Sequence, residues 1–450
     1  MRTRMTTIFA ERVQRVQQRM HENSLLFVPA APARIRNRDT HYRYRAHSDT
    51  LYLTGVGEEE LSVFITNDAL HICARTSDPE RERWTGKVRG HEFFLERFAN
   101  IPCRLTVSAA TDWEKKLAEL ARGREILYYD FGVDGETDKR VLGQLAELSQ
   151  YARKGIYAPR TITRASEILA QLRLIKDSHD LATMRRAAEI SATAHNIAQD
   201  FIVAAKGEVS EYEVKALIEH EFMRQGADQL AYPSIVAAGA NATVLHYEAT
   251  TGSAKPGDFI LIDAGAEAEG YASDITRTTP VGGFSAAPGI QRELYEVVLA
   301  AQRAAIEHAR PGNTVEAVHL RAVDVLCEGL LRLGFFERVP DRSSGSEDRN
   351  RLISLRSREQ IAEHDYHTYF YMHRTSHFLG LDVHDVGDYH IAGKSRMLEP
   401  GMVITVEPGL YFPPEYDFLS PEVRGIGIRI EDDVLITREG NEILTASCRS

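Results

Sequence analysis

Four carboxylates stand where the sequence makes carboxylates costly. Asp263 closes the apolar run Phe259-Ile260-Leu261-Ile262, which reads as a buried strand, and an ionised acid there needs compensation. Asp274 lies in Tyr271-Ala272-Ser273-Asp274-Ile275-Thr276, and the intervening Gly265 and Gly270 permit a hairpin that sets the two acids side by side. Glu407 ends a second strand-like run, and Glu431 lies in Ile426-Gly427-Ile428-Arg429-Ile430-Glu431, which alternates as a strand at an active site does. The stretch from His373 to His384 adds histidines at 373, 377 and 384. His373 and His377 are four apart, as in the H-E-x-x-H zinc motif, but Arg374 takes the place of that motif's glutamate, so the zinc-protease reading fails. What is left is an oxygen-rich donor set with few nitrogens and no cysteine.

Acids this close repel one another unless cations lie between them. Four carboxylates carry four negative charges; one divalent ion leaves two uncompensated, and two ions reach neutrality. Two ions about 3.5–4 Å apart suit attack of a hydroxide on a carbonyl, because both metals steady the developing charge. Carboxylate-dominated ligation favours Mn²⁺, although Co²⁺ or Zn²⁺ can enter by affinity.

The elements that must position these groups repeat. Pro256-Gly257-Asp258-Phe259-Ile260-Leu261-Ile262-Asp263-Ala264-Gly265 lies over Pro400-Gly401-Met402-Val403-Ile404-Thr405-Val406-Glu407-Pro408-Gly409, each position offset by 144 residues (400 − 256). Each copy is a turn, a strand and an acid where the strand ends, which reads as an internal duplication giving two pseudo-symmetric halves around one centre. Helical periodicity precedes each copy. Leu181, Met184, Ala188, Ser191, Ala194, Ile197 and Phe201 form an apolar stripe, with Ser178 as the expected N-cap. Ser210 and Glu213 form a capping box for a second helix that Gly226 ends. Strands are expected over 232–280, helices over 289–309 and 314–333, and strands again over 403–437. The Ser-, Arg- and acid-rich segment 337–366 reads as a loop insertion. Before all this, strand-like runs at 25–28, 61–65 and 126–129 alternate with helical patterns at 111–122 and 137–149, the texture of a small α/β domain. The expected domains are 1–175 and 176–450.

Bulk properties narrow the classes. The 450 residues are 43% hydrophobic and 26% charged, a globular balance. The net charge of −11 gives no footprint for nucleic acid. No apolar run is long enough to span a membrane, and the N-terminus shows no signal-peptide core. Cys73, Cys103, Cys327 and Cys448 have no metal-type spacing and read as reduced thiols, so the expected compartment is the cytoplasm.

The words IDAGA, SDITRT, SHFLGLDVHDVG, TVEPGLY and GIGIRIEDD, in this order over about 176–437, resemble the pita-bread metallopeptidases. That resemblance places the family's five ligands on Asp263, Asp274, His377, Glu407 and Glu431. It implies that Asp263 and Glu431 bridge two metals, that Asp274 serves one, and that His377 and Glu407 serve the other. Glu407 is implied to move the catalytic proton as well, His246 and His384 to contact substrate and steady the tetrahedral intermediate, and His373 to line a proline pocket. Arg429 is expected to support the substrate side of the site by pairing with a ligand carboxylate.

The segment Tyr44 to Gly55 is similar to the N-terminal creatinase/prolidase-type domain, which methionine aminopeptidases usually lack; creatinases lack the metal ligands. The words IDAGAEAEGYASDITRT and EPGLYF resemble the aminopeptidase P branch most. The implied fold is therefore an α/β domain followed by a pita-bread domain with internal duplication. The implied activity is release of the N-terminal residue from peptides with proline second, by a hydroxide bridging two metals. A dipeptidase acting only on Xaa-Pro is the alternative. A metal-free binding module is disfavoured because all five ligands are present. Such proteins are commonly dimers or tetramers in which a neighbour walls the site, and Trp84 is a candidate for that wall. Arg374 replaces a frequent glycine; its guanidinium could hold a substrate carboxylate in two bonds, which favours short substrates.

Overall fold

The computed structural model describes residues 2–342 and 351–450. The chain divides into two compact units, Met1–Arg173 and Leu174–Ser450. No described helix is long and apolar enough to cross a membrane.

The first unit is built on a six-stranded sheet. Ser24–Val28 lies inside it, antiparallel to Ser62–Thr66 and parallel to Ile126–Tyr128. Its five residues are all buried, which explains a continuous apolar run in place of an alternating one. Phe27 stacks on Phe64 with centroids 4.4 Å apart, and Trp113 and Tyr129 extend the stack. Helices Trp113–Ala121 and Gly135–Ser149 close this core with Leu117, Val141 and Leu145. Trp84, on the helix Pro79–Thr85, is 90% exposed.

The second unit repeats one plan. In its first half, helices Ser178–Ala204 and Glu211–Arg224 pack over the antiparallel strands Ile235–Ala238, Phe259–Asp263 and Thr276–Pro280. In its second half, helices Gly289–His308 and Val315–Arg332 accompany the strands Val403–Val406, Asp432–Ile436 and Asn441–Ile443. Asp263 ends its strand opposite Thr276, and Val406 ends the corresponding strand opposite Asp432. In both halves, then, one acid closes a strand and another lies at the entry to its partner strand. A bridge between Thr276 and Glu431 ties the halves together where those acids meet.

Two expectations need correction. The long helix is capped by Asp177, not Ser178: the Asp177 carboxylate accepts from the amides of His179 and Asp180, and the Asp177 amide donates to the Asp180 carboxylate. A carboxylate is the stronger acceptor, and its charge suits the helix N-terminus. Segment 337–366 is not loop throughout. Val339–Pro340 pairs with Leu352–Ile353, and Arg358–Glu363 is a helix. The polar composition concealed Val339, Leu355, Ile361 and Tyr366, which are buried in the second half's core. Residues 343–350 of that segment lie outside the described residues.

Gly329 marks a close contact between the helices Gly289–His308 and Val315–Arg332, because a Cβ there would overlap both methyls of Val297. Valine is stiff at χ1 and cannot swing aside cheaply. Gly329→Ala is expected to destabilise the unit by about 1–3 kcal/mol, seen as a lower thermal midpoint by circular dichroism. An unchanged midpoint would show that these helices repack freely.

Candidate active site

Each acid is delivered by a strand and aimed by a neighbouring donor. Gly265 allows the chain after Asp263 to run against the returning segment, since a Cβ there would overlap the Ser273 carbonyl oxygen. Asp274 arrives two residues before its strand begins and accepts from the Tyr232 hydroxyl at 2.5 Å. Its backbone amide is held by the Asp433 carboxylate at 3.2 Å. The Thr276 hydroxyl donates to Glu431 at 2.6 Å, and the Thr405 hydroxyl donates to Glu407 at 3.3 Å. Arg429 Nη2 donates to Asp263 Oδ2 at 2.5 Å. The other carboxylate oxygen of Asp263, Oδ1, is buried and accepts no bond.

The histidine stretch is irregular, not helical, and it is pinned along the strand Val403–Val406. The His377 amide donates to Thr405 Oγ1, the Thr405 amide to the His377 carbonyl, and Phe378 bridges Ile404. His377 Nδ1 lies 3.1 Å from the Phe378 carbonyl, which can only accept, so this nitrogen carries a proton. Nε2 is thereby left facing the acids, 3.5 Å from Asp274 and 3.5 Å from Glu407. One ligand atom each from Asp274, His377 and Glu431 lie within 4.8 Å of one another.

The electrostatics describe anions short of positive charge. Burial pushes Glu431 well above the ordinary carboxylate range, and Asp274, Glu407 and Asp263 push the same way. Burial also raises Asp263, against the charge of Arg429. Glu407 is pushed up to about 7 by burial, against His377 and Arg429. Burial alone would disfavour a charged His377, but its bond to Asp274 and the charge of Glu407 lift it to about 9. Divalent cations fit this set. The donors are carboxylate oxygens and one imidazole nitrogen oriented by a backbone carbonyl, and an orphaned carboxylate oxygen lies among them.

Ten of the residues singled out from the sequence line one cavity of about 900 Å³: Asp263, Asp274, His377, Glu407, Glu431, His246, His373, Arg374, His384 and Arg429; Trp84 does not. The His384 ring centroid is 4.4 Å from that of His377. His373 Nδ1 donates to the Arg374 carbonyl at 2.8 Å, so its Nε2 accepts from the Tyr411 hydroxyl, also at 2.8 Å. Burial, with Arg429 adding, lowers His373 to about 3, consistent with a neutral ring. Arg429 makes the pairing with a ligand carboxylate expected of it, to Asp263. It is 4% exposed, and besides Asp263 it serves Tyr411 at 3.1 Å and Thr276 at 3.1 Å.

Sequence reading missed Tyr232, Thr276, Thr405 and Tyr411, whose hydroxyls aim the acids or His373. Thr405 was within reach of it, because it stands two residues before the Glu407 it aims; Thr276 was not, because the acid it aims is Glu431 of the other half. It also missed His390, which lines the cavity, and Glu211. Glu211 is fully buried and accepts from the Ala238 amide, Asn241 Nδ2, the Tyr247 hydroxyl and the Gly252 amide at 2.6–2.9 Å. It thereby clamps the loop that carries His246.

Buried carboxylates converging from two pseudo-symmetric halves, with one oriented imidazole, define a divalent-metal hydrolase centre. The chain belongs to metallopeptidase family M24, which residues 182–438 match, and residues 9–128 match the aminopeptidase P N-terminal domain. It is 38% identical over 445 residues to the Xaa-Pro aminopeptidase of Escherichia coli K12, covering 98% of this chain and 94% of that one. The fold is the pita-bread fold of aminopeptidase P structures. Pseudomonas aeruginosa aminopeptidase PepP superposes with a TM-score of 0.88 at 37% identity, covering 99% of this chain and 96% of that one. Zinc-substituted E. coli aminopeptidase P in complex with product gives 0.87 at 36%, with 99% and 96% covered.

In metal-free protein, Glu407 binds its proton more tightly in the fold, at about 7, than at its ordinary 4.5. Its contribution to stability is whole below the lower value and is lost as pH rises through the higher one. His377 behaves alike between 6.5 and about 9. A dication must displace these protons, so its binding strengthens as pH rises. Excess Mn²⁺ is expected to raise the thermal midpoint more at about pH 8 than at about pH 5.5, and to acidify a weakly buffered solution near neutrality. A pH-independent gain would mean that these groups are not the ligands.

Proposed function

We propose that this chain is an Xaa-Pro aminopeptidase, a metal-dependent exopeptidase that releases the N-terminal residue from peptides with proline second. The observation that carries this is the convergence of Asp263, Asp274, His377, Glu407 and Glu431 on one cavity, in a chain that two bacterial relatives of that name match along nearly its whole length. Asp263 and Glu431 would hold both ions, Asp274 one, and His377 with Glu407 the other; Mn²⁺ suits the oxygen-rich set. When bound, two such ions polarise the scissile carbonyl and ready a water for attack on it.

The chain's own residues do the rest. Glu407 takes the water's proton and returns it to the departing proline nitrogen, a task that needs reach to both. Tyr232, Thr276, Thr405 and Arg429 keep the carboxylates aimed. His246 and His384 face the cavity, where they can donate to the carbonyl oxygen as charge builds on it. His373, held neutral between Arg374 and Tyr411, forms part of the wall against which the proline ring packs. We assign 1–175 as the N-terminal domain and 176–450 as the catalytic one. All four cysteines are unpaired, which supports a cytoplasmic site; a disulfide in freshly purified protein would count against it.

The dipeptidase reading draws support from Arg374, which lines the cavity. Comparing rates on an Xaa-Pro dipeptide and an Xaa-Pro-Yaa tripeptide separates the two. The tripeptide is expected to be cut well, and only with divalent metal present; cleavage of the dipeptide alone would establish the dipeptidase. Glu407→Gln is expected to lower kcat on the tripeptide by about 10²–10⁴-fold. Metal content is measured alongside, and a fully active variant would remove Glu407 from the mechanism.

A further inference from the structure

Two residues of the cavity wall take no part in the mechanism above and bear opposite charges. Arg374 and Glu316 both line the cavity, and Arg374 Nη2 pairs with the Glu316 carboxylate. Glu316 stands in the first turn of the helix Val315–Arg332; Arg374 directly follows His373. Their side chains are 35% and 60% exposed, so the pair sits where the cavity opens to solvent. An ion pair this exposed is worth little, and an incoming anion can exchange into it at small cost. Among the described cavity-lining residues only Arg374 and Arg429 are arginine or lysine, and Arg429 is buried and committed to Asp263, Thr276 and Tyr411. An anionic group on a substrate therefore meets one guanidinium at the rim that can turn to it.

We propose that Arg374 forms a subsite for the C-terminal carboxylate of short peptides, with Glu316 holding the guanidinium in place and competing for it. This rests on the Xaa-Pro aminopeptidase reading. In a tripeptide the C-terminal carboxylate lies two residues beyond the scissile bond, about 7 Å along an extended chain, which carries it away from the buried acids toward the rim. Guanidinium meets carboxylate in two parallel bonds, a geometry that an amide terminus cannot reproduce. Glu316 sets the strength of the preference, because any substrate carboxylate must displace it. The catalytic cluster then cuts the bond before proline, and the rim selects how the leaving peptide ends.

The test compares an Xaa-Pro-Yaa tripeptide with its C-terminal amide on the metal-loaded full-length enzyme. The free acid is expected to show a KM lower by about tenfold, with similar kcat. Arg374→Gln should bring the acid-to-amide ratio of kcat/KM to about one, whereas Glu316→Gln should widen it, because the guanidinium loses its competitor. Equal KM for acid and amide in the wild type, or a ratio that survives Arg374→Gln, overturns the subsite and leaves the peptidase reading intact. A wild type that cuts neither peptide overturns both.

Discussion

Repulsion among Asp263, Asp274, Glu407 and Glu431, held where burial already disfavours their charged forms, has to be met by positive charge. At the cluster the chain itself supplies Arg429 and His377. Arg429 answers one oxygen of Asp263 and leaves the other without a partner. The raised proton affinities of Asp263, Glu407 and Glu431 measure what is left over. Such an arrangement is a poor way to stabilise a fold and a good way to hold dications, because the free energy withheld from folding is recovered when the ions bind.

Duplication is what makes this convergence buildable. A strand end is a natural exit from a sheet, and placing an acid there twice, 144 residues apart, gives two carboxylates with matching backbone frames. The antiparallel partner of each strand begins beside a second acid. The bridge from Thr276 to Glu431 then fixes one half's pair against the other's, so the spacing of the cluster is set by backbone hydrogen bonds. The hydroxyls of Thr276 and Thr405 extend that rigidity to Glu431 and Glu407, since a group aimed from a hydrogen-bonded strand cannot drift without breaking the ladder.

What the residues revealed on their own follows from the same physics. An acid at the end of an apolar run is conspicuous, because its burial demands an explanation, and so Asp263 and Glu407 were legible before any geometry. The element plan was legible too, since helical and strand periodicities are local. Residues whose meaning lies in a partner were not. Glu211 reads as one more acid in a polar helix turn, yet four donors from a loop 27–41 residues away converge on it. Tyr232 and Tyr411 look like packing aromatics until their hydroxyls are placed. Asp177 displaced Ser178 because two adjacent residues can each cap, and acceptor strength decides between them. In 337–366 the charged majority concealed widely spaced apolar residues that find a core only in three dimensions.

Arg429 shows how one commitment constrains the rest of the site. Its guanidinium serves Asp263, Thr276 and the Tyr411 oxygen; the Tyr411 hydroxyl donates a hydrogen bond to His373 Nε2, and His373 Nδ1 donates to the Arg374 carbonyl. Arg429 Nε, Nη1 and Nη2, the Tyr411 hydroxyl and His373 Nδ1 each hold a bond inside the protein, and turning any of these bonds to a substrate leaves a buried partner unsatisfied. A neutral His373 is required for the chain to close, since a charged ring would present a second donor to the Tyr411 hydroxyl. Polar contacts to a substrate are then left to cavity-lining groups outside this network, such as His246, His384 and Arg374. The bonds that hold the carboxylates rigid thus leave the polar groups of a substrate to other side chains of the cavity.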